Sequence, residues 1–377
     1  MNKLCRELGI EYPIFAFSHC RDVVAAVSRA GGMGVLGVIM MTPEDIDIEL
    51  KWLEENSGGR PYGIDIVAPV KTVDREAGLA DADTMHAQLE QMIPREHRDY
   101  AEEIMRRYEL PPLPETEGQH QDWTAEGFTA AGGEEQIEVV LNHEHGLLVS
   151  ALGPPPAWLI DRAHARGTKV GALVGKPQQA ARNVELGVDV VICQSYEAAA
   201  HTGEIGAMVL IPDVVDAVGD VPVLAAGGIG SGRQMAAAMA LGAQGVWTGS
   251  IWLTCRESSA EPERVQRLLE LTSTDTVRSK SQTGKPNRQI RTPWTEAWDD
   301  SNGPGPLPMP LQYLLYAEYT ARAERAGRTD LVGGPVGQVV SRMTKVRPAA
   351  EIVLNMVEEY MDTLQRMSAR YEQLMGD

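Results

Sequence analysis

Along the chain, apolar positions gather into short runs that end in small or polar residues, and each run is followed by a stretch with helical spacing. Runs of about 4–8 apolar residues bounded by turn formers have the length of buried parallel strands. Eight such runs stand out: Tyr12–Phe17, Gly34–Ile39, Tyr62–Val67, Gly146–Ala151, Lys169–Val174, Val188–Gln194, Val221–Ala226 and Gly245–Thr248. Helical patterns follow Cys20 (RDVVAAVSRA), Thr42, Pro155, Pro177, Ile211, Ser231 and Glu261. Alternating β and α units predict a parallel sheet, and eight of them predict a closed (β/α)8 TIM barrel; a doubly wound open sheet is the second fold this pattern allows.

The third unit is too long. Nearly eighty residues separate Val67 from Gly146, where one helix would suffice. Asp83–Ile93 and Glu96–Tyr108 read as two helices interrupted by Pro94, LPPLPETEGQHQD (residues 110–122) as a polar loop, and Glu134–Asn142 as another short helix. Residues 75–142 are therefore expected to interrupt the barrel (1–260) as a helical insertion. It could serve as a lid over the pocket, an oligomer contact or plain surface decoration. Residues 261–377 read as a helical extension: Glu261–Thr272 is helical, Arg278–Gly305 irregular with Trp294 and Trp298, and Leu311–Ala326 and Ala349–Gln373 are helices. In the last of these, Ile352, Val353, Met356, Val357, Tyr360, Met361 and Leu364 form an apolar stripe, suited to core packing or to a contact within a homo-oligomer.

The chemistry begins in VPVLAAGGIGSGRQMAAAMALGAQGVWTGSIWL (residues 221–253). An apolar strand ends in Gly227-Gly228, a helix starts near Ser231, and the next strand ends in Gly249-Ser250. Glycine lets successive backbone N–H groups approach and point at a phosphate, and a helix amino terminus adds a favourable dipole. In (β/α)8 barrels the usual phosphate site lies between the loops after strands seven and eight, which these two turns follow in order. Arg233 could add a charge there or stand in solvent.

Composition narrows the partners. With 43% hydrophobic residues, 37 glycines and 23 prolines the chain reads as an ordinary globular α/β enzyme. Its net charge of −19 argues against nucleic acid, which requires a basic footprint, and leaves an anionic ligand to be held by local dipoles. Cys5, Cys20, Cys193 and Cys255 lie far apart, with no C-x-x-C pair and no zinc-ligand spacing, so neither a disulfide framework nor a metal site is expected. No run approaches the ~20 apolar residues of a membrane helix, and MNKLCRELGIEYPIF lacks a signal-peptide core. A cytoplasmic protein acting on a small molecule is expected.

Two further segments carry a resemblance. Gln194-Ser195-Tyr196-Glu197-Ala198-Ala199-Ala200-His201-Thr202-Gly203 resembles the Q-G-x-E-A-G-G-H-x-G segment of the nitronate monooxygenase (2-nitropropane dioxygenase-like) family, and AAGGIGSGRQMAAAMALGAQGVWTGSIWL resembles its FMN-phosphate region. AAVSRAGGMGVLG is similar to its A-V-S-x-A-G-G-L-G motif, and Gly337-Gln338 to its late G-Q. The likeness covers residues 10–70 and 145–260 well, the carboxy-terminal part loosely, and the insertion not at all. It implies FMN as cofactor, its phosphate on Gly227, Gly228, Gly249 and Ser250. Three places depart from the family pattern. Its A-P-M appears as Ala16-Phe17-Ser18, its G-V-N as Gly63-Ile64-Asp65, and the two glycines before its histidine as Ala199 and Ala200. An ionised Asp65 cannot donate a hydrogen bond to the flavin as asparagine would.

His201 follows the sixth strand, at the end of the barrel where such enzymes carry out catalysis. A histidine can hydrogen-bond a substrate oxyanion or remove an acidic C–H proton near neutral pH, and in the family the matching histidine serves the substrate beside the flavin. The resemblance likewise places Ala16, Phe17, Ser18, Asp65, Gln194 and Ala200 against the cofactor, Gln194 offering a donor and an acceptor to the pyrimidine edge. Glu197 is expected to orient its loop. His19 could also face the flavin, without family precedent. Lys176 reads as a surface residue, Cys193 as a small buried hydrophobe, and His143 and His145 as lying on the wrong face for catalysis.

The chemistry implied is oxidation of a nitronate-like anion or acidic C–H substrate with dioxygen as acceptor. Three rivals stay open: an NAD(P)H-dependent flavin reductase of a quinone or enoyl compound, a non-flavin lyase or isomerase of phosphorylated substrates, and a non-catalytic cofactor-binding protein that uses the insertion as its contact.

Overall fold

The computed structural model describes residues 2–67, 82–114 and 130–375. In chain order the strands are β1 (Ile14–Ser18), β2 (Met33–Gly37), β3 (Gly63–Ile66), β4 (Leu147–Ser150), β5 (Lys169–Val174), β6 (Val190–Gln194), β7 (Ala200–His201), β8 (Val223–Ala226), β9 (Gly245–Thr248), β10 (Thr276–Ser279) and β11 (Asn287–Ile290). β1–β6, β8 and β9 close into one parallel barrel, β9 pairing back onto β1 from Ile14↔Val246 to Ala16↔Thr248. These are the eight expected strands, and the open-sheet alternative falls with the closure.

The helices are α1 (Lys3–Leu8), α2 (Arg21–Arg29), α3 (Pro43–Asn56), α4 (Ala82–Met92), α5 (Arg95–Arg107), α6 (Ala130–Asn142), α7 (Ala157–Ala165), α8 (Pro177–Glu185), α9 (Ala207–Val218), α10 (Gly232–Ala240), α11 (Pro262–Glu270), α12 (Pro293–Asp299), α13 (Leu311–Arg325) and α14 (Ala349–Met375). Local chemistry sets several starts. Thr42 caps α3 by accepting from Asp45 N while the Asp45 carboxylate reaches back to the Thr42 N–H, and Ser231 caps α10 through Gln234 N. Among the described residues no helix is long and apolar enough to cross a membrane.

Alternation along each strand sends one set of side chains into the lumen and the other toward the helices. Phe15, Met33, Val35, Leu147, Val149, Val190, Ile192 and Leu224 fill the lumen, and α1, which the strand pattern did not foresee, adds Leu4, Cys5 and Leu8 to the same cluster. That plugs one mouth of the barrel. The opposite mouth, at the carboxyl ends of the strands, holds the cavity described below.

Three sequence expectations are corrected. The helix expected after Ile211 begins four residues earlier, at Ala207, and carries Pro212 inside it; the Glu197 carboxylate accepts from Ala207 N and holds that start. The helix expected at Glu134 begins at Ala130 and is the barrel's own third-unit helix, since Ile137, Val140 and Leu141 pack with Ile46, Leu50 and Leu53 of α3. The stretch read as irregular contains β10, β11 and α12; its pairing partner β7 lies some eighty residues upstream, so no local pattern announces the sheet. The stripe on the last helix is buried at Ile352, Val353 and Met356, but Met361 and Leu364 face solvent.

None of the described residues of α4 and α5 lines the cavity described below. Leu89, Ile93, Ala101, Ile104 and Met105 form one core with Trp294, Trp298, Leu311, Leu315 and Tyr319, so this part of the insertion braces the carboxy-terminal extension. Most of the loop expected at 110–122, from residue 115 onward, lies outside the described residues.

Candidate active site

A cavity of about 1090 Å3 opens at the carboxyl end of the barrel. Its walls include Phe17 and Ser18 of β1 and His19 after it, Gly37 of β2, Asp65 of β3, Leu173 of β5, Gln194 of β6, Ala200 and His201 of β7, Gly227 and Gly228 after β8, and Gly249 and Ser250 after β9. Every site residue expected from sequence is therefore on this wall except Ala16. Strand alternation explains the exception: Phe15 and Phe17 turn inward, whereas the Ala16 methyl is fully buried in the helix-facing core with Val23 and Val27.

One end of the cavity is built from glycine turns. Gly227 has φ +104°, and a Cβ there would stand 2.4 Å from Ser195 Oγ and 2.9 Å from Ala198 N. Only glycine fits. Ser250 Oγ accepts from Gly337 N at 2.9 Å, and Gln338 N donates to the Glu197 carbonyl at 3.0 Å. A Cβ on Gly337 would approach that same carbonyl to 2.9 Å. The late Gly337-Gln338 pair thus ties the turn after β9 to the loop that carries His201. The amino terminus of α10 contributes less than its dipole suggested, because Gly232 N donates to a Glu359 carboxylate oxygen of α14 at 3.0 Å. Arg233 is largely exposed, pairs with Glu359 at 3.5 Å and is absent from the cavity wall.

The other end carries the titratable groups. β7 pairs with β11 in antiparallel register, Asn287↔His201 and Arg288↔Ala200, which fixes the His201 backbone. His201 Nδ1 lies 3.2 Å from the Pro286 carbonyl. A carbonyl can only accept, so Nδ1 carries the proton and Nε2 keeps a free lone pair. Burial lowers the His201 pKa, with Lys285 adding to the effect and the bond to Pro286 opposing it. The neutral ring is a base and an acceptor; it is not an oxyanion donor. His19 repeats the pattern, with Nδ1 2.7 Å from the Gly37 carbonyl, a pKa lowered by burial, and an edge-on contact with Phe17 at 5.1 Å between centroids. Gln194 Nε2 points toward the Ala199 carbonyl at a long 3.5 Å. Asp65 is 4% exposed, and burial alone raises its pKa well above the ordinary carboxylate value.

The supporting residues behave as their sequence positions suggested. The Glu197 carboxylate anchors α9; Cys193 is fully buried, its thiol pushed up to about 12; Lys176 is exposed; and His143 bridges Asp47 and Glu54 between α3 and α6. What sequence reasoning missed is the outer wall. Arg264 and Arg267 of α11, with Met309, Pro310 and Tyr313 beside and within α13, line the cavity. Beyond the general amphipathicity of α11 and α13, nothing local marks these residues as part of a site. Ala200 is a further surprise, since it holds φ +59° without being glycine.

Comparison with known proteins bears on this geometry. The profile of the nitronate monooxygenase family matches residues 3–359. A Mycobacterium tuberculosis (strain H37Rv) protein described as a monooxygenase is 47% identical over 365 residues, covering 95% of this chain and 96% of its own. A probable nitronate monooxygenase of Staphylococcus aureus (strain Newman) is 26% identical over 378 residues, with 97% and 98% covered. Among solved structures, nitroalkane oxidase from Streptomyces ansochromogenes superposes with a TM-score of 0.77 at 24% identity, over 97% of this chain and 100% of that one, and so shares the fold.

Proposed function

The chain belongs to the nitronate monooxygenase family, and on that premise we propose that it is an FMN-dependent oxidoreductase acting on a small substrate with an acidic C–H bond, with dioxygen as acceptor. The observation that carries this reading is the shared cavity: a glycine-walled end suited to a phosphate and, facing the same space, a neutral His201 with Nε2 unspent.

The residues fit the cofactor. The turns at Gly227-Gly228 and Gly249-Ser250 would hold the phosphate through backbone N–H groups, which the net charge of −19 makes the suitable donors. Phe17, Ser18, Asp65, Gln194 and Ala200 would meet the ring system, and Ala16 could do so only through its backbone. When bound, FMN supplies a two-electron acceptor with a route to dioxygen. The protein supplies the rest. His201 Nε2 takes the proton from the carbon being oxidised, and the Nδ1–H bond to Pro286 keeps the lone pair aimed at the cavity. Stable neutrality of that ring favours abstraction of a C–H proton over hydrogen bonding to a preformed oxyanion.

The test is anaerobic mixing of the FMN-loaded protein with propyl nitronate, 1-nitropropane, NADH and NADPH, watching the visible flavin band. Bleaching by the nitro compounds is expected. Bleaching by NADH or NADPH alone would replace this reading with a reductase, and a protein that takes up no FMN would refute the flavin itself.

A further inference from the structure

We propose that Asp65 works as a neutral carboxylic acid that donates a hydrogen bond from its O–H to an acceptor on the flavin ring. This rests on the FMN reading above and adds a residue role that the family's asparagine pattern does not contain.

Strand alternation sets the geometry. Ile64 and Ile66 of β3 face the helix layer, so Asp65 faces the lumen. Its register partners are Gly37 on β2 and Val149 on β4, neither of which brings charge or a side-chain donor. Its own carbonyl is occupied, accepting from Val38 N at 3.1 Å. The carboxyl forms no hydrogen bond or ion pair with any described residue, yet the side chain lines the cavity and is more than nine-tenths buried. His19, just past β1 on the far side of β2, has its Nδ1–H spent on the Gly37 carbonyl and its pKa lowered by burial. Arg264 and Arg267, cations on the cavity wall, stand on α11, and neither bonds Asp65.

A carboxylate so placed would be a buried charge without a partner among the described residues, and such a group takes up a proton instead. Its burial raises the pKa in that direction. Once protonated, it holds an O–H donor that is itself costly to leave unmatched. The cavity is the space that donor can reach. In this chain the acid therefore offers the donor that the family's amide offers, and it places no negative charge beside a cofactor that is already anionic.

Infrared spectroscopy of the wild type against Asp65→Asn, with and without FMN at neutral pH, reads the protonation state directly. The expected result is a protonated-carboxyl C=O stretch in the wild type, absent from the variant and shifted to lower frequency by FMN. FMN titration gives the second readout. Asp65→Asn should bind within about threefold of wild type, and Asp65→Ala about tenfold more weakly, as for one lost hydrogen bond. A pair of carboxylate bands in place of the C=O stretch overturns the proposal, as does tenfold tighter FMN binding by Asp65→Asn, the signature of a removed charge. If Asp65→Ala does not fold, the spectra and Asp65→Asn still decide. Failure of all three proteins to bind FMN refutes the flavin reading, and with it the acceptor named here, while the spectrum without FMN still reports the state of Asp65.

Discussion

His201→Asn separates the two jobs of the site histidine. An asparagine amide reaches about as far as Nδ1 and can still donate to the Pro286 carbonyl, 3.2 Å from the wild-type nitrogen, whereas nothing replaces Nε2. The β7–β11 pairing is backbone and survives. Stability should therefore change by less than about 1 kcal/mol, the value of one ordinary hydrogen bond. Loss of a general base costs roughly 10²–10⁴-fold, or about 3–5 kcal/mol of barrier. That loss should fall on 1-nitropropane, whose carbon must be deprotonated, and largely spare preformed propyl nitronate. The pH profile follows from the lowered pKa: His201 is active when neutral, so flavin reduction by 1-nitropropane falls as pH drops through a value below the ordinary ~6.5 and is flat above it. Anaerobic stopped-flow reduction with both substrates measures this. Equal losses on both, or an acid limb that persists in His201→Asn, would refute the assignment of Nε2 as base.

Ala200 occupies the left-handed region at φ +59°, so Ala200→Gly should stabilise the protein by about 1 kcal/mol in urea unfolding; a destabilised variant would show that the methyl's packing outweighs the strain. Gly227→Ala forces a Cβ to within 2.4 Å of Ser195 Oγ and should yield protein that purifies without flavin; flavin content equal to wild type would mean that the turn does not hold the phosphate. Asp65 binds its proton in the folded state and releases it on unfolding above about pH 4, so its raised pKa favours the fold at low pH and weighs against it as pH rises. Relative to Asp65→Asn, the wild type should lose about 1.4 kcal/mol per pH unit above ~4 until the folded carboxyl itself titrates. A gap that does not change between pH 5 and 7 would show Asp65 ionised in both states.

The barrel was legible because each strand is a continuous apolar run and each turn carries its own chemistry: Ser231 caps α10, Thr42 caps α3, and Gly227 and Gly228 stand where the backbone turns through positive φ. The inner half of the site was legible for the same reason, since Gln194, Gly227 and Gly249 lie at or just past strand ends whose positions the periodicity sets. What sequence did not announce depends on partners far along the chain. β7 exists because Asn287 and Arg288 lie opposite it, and the tautomer of His201 is set by Pro286, 85 residues away. The outer wall from α11 and α13 belongs to the same class. Trp294 and Trp298 read as isolated aromatics until Ile104 and Met105 of the insertion closed around them. Ala16 shares the motif of Phe17 and Ser18, but strand alternation turns its methyl to the helix layer and leaves only its backbone for the cavity side.

The charge pattern explains how an acidic protein can hold an anion. At −19 the overall field opposes a phosphate, and Arg233, the cation nearest that end in sequence, is diverted to Glu359. On the proposed function, the phosphate would therefore depend on backbone dipoles, which carry no net charge and need no counterion. Beyond that end, burial lowers the pKa of His19 and of His201 and raises that of Asp65, so at all three positions beside the cavity the uncharged form is favoured. A wall of uncharged groups suits the proposed reaction, in which His201 would take up a proton and a bound flavin would accept the electrons. A fixed carboxylate would oppose the second movement, and a fixed imidazolium would block the first. On that reading, backbone dipoles at the glycine turns and burial beside His19, His201 and Asp65 replace the lysines and arginines of a cationic site, while Arg264 and Arg267 share the cavity wall with Glu261, Glu263 and Glu324.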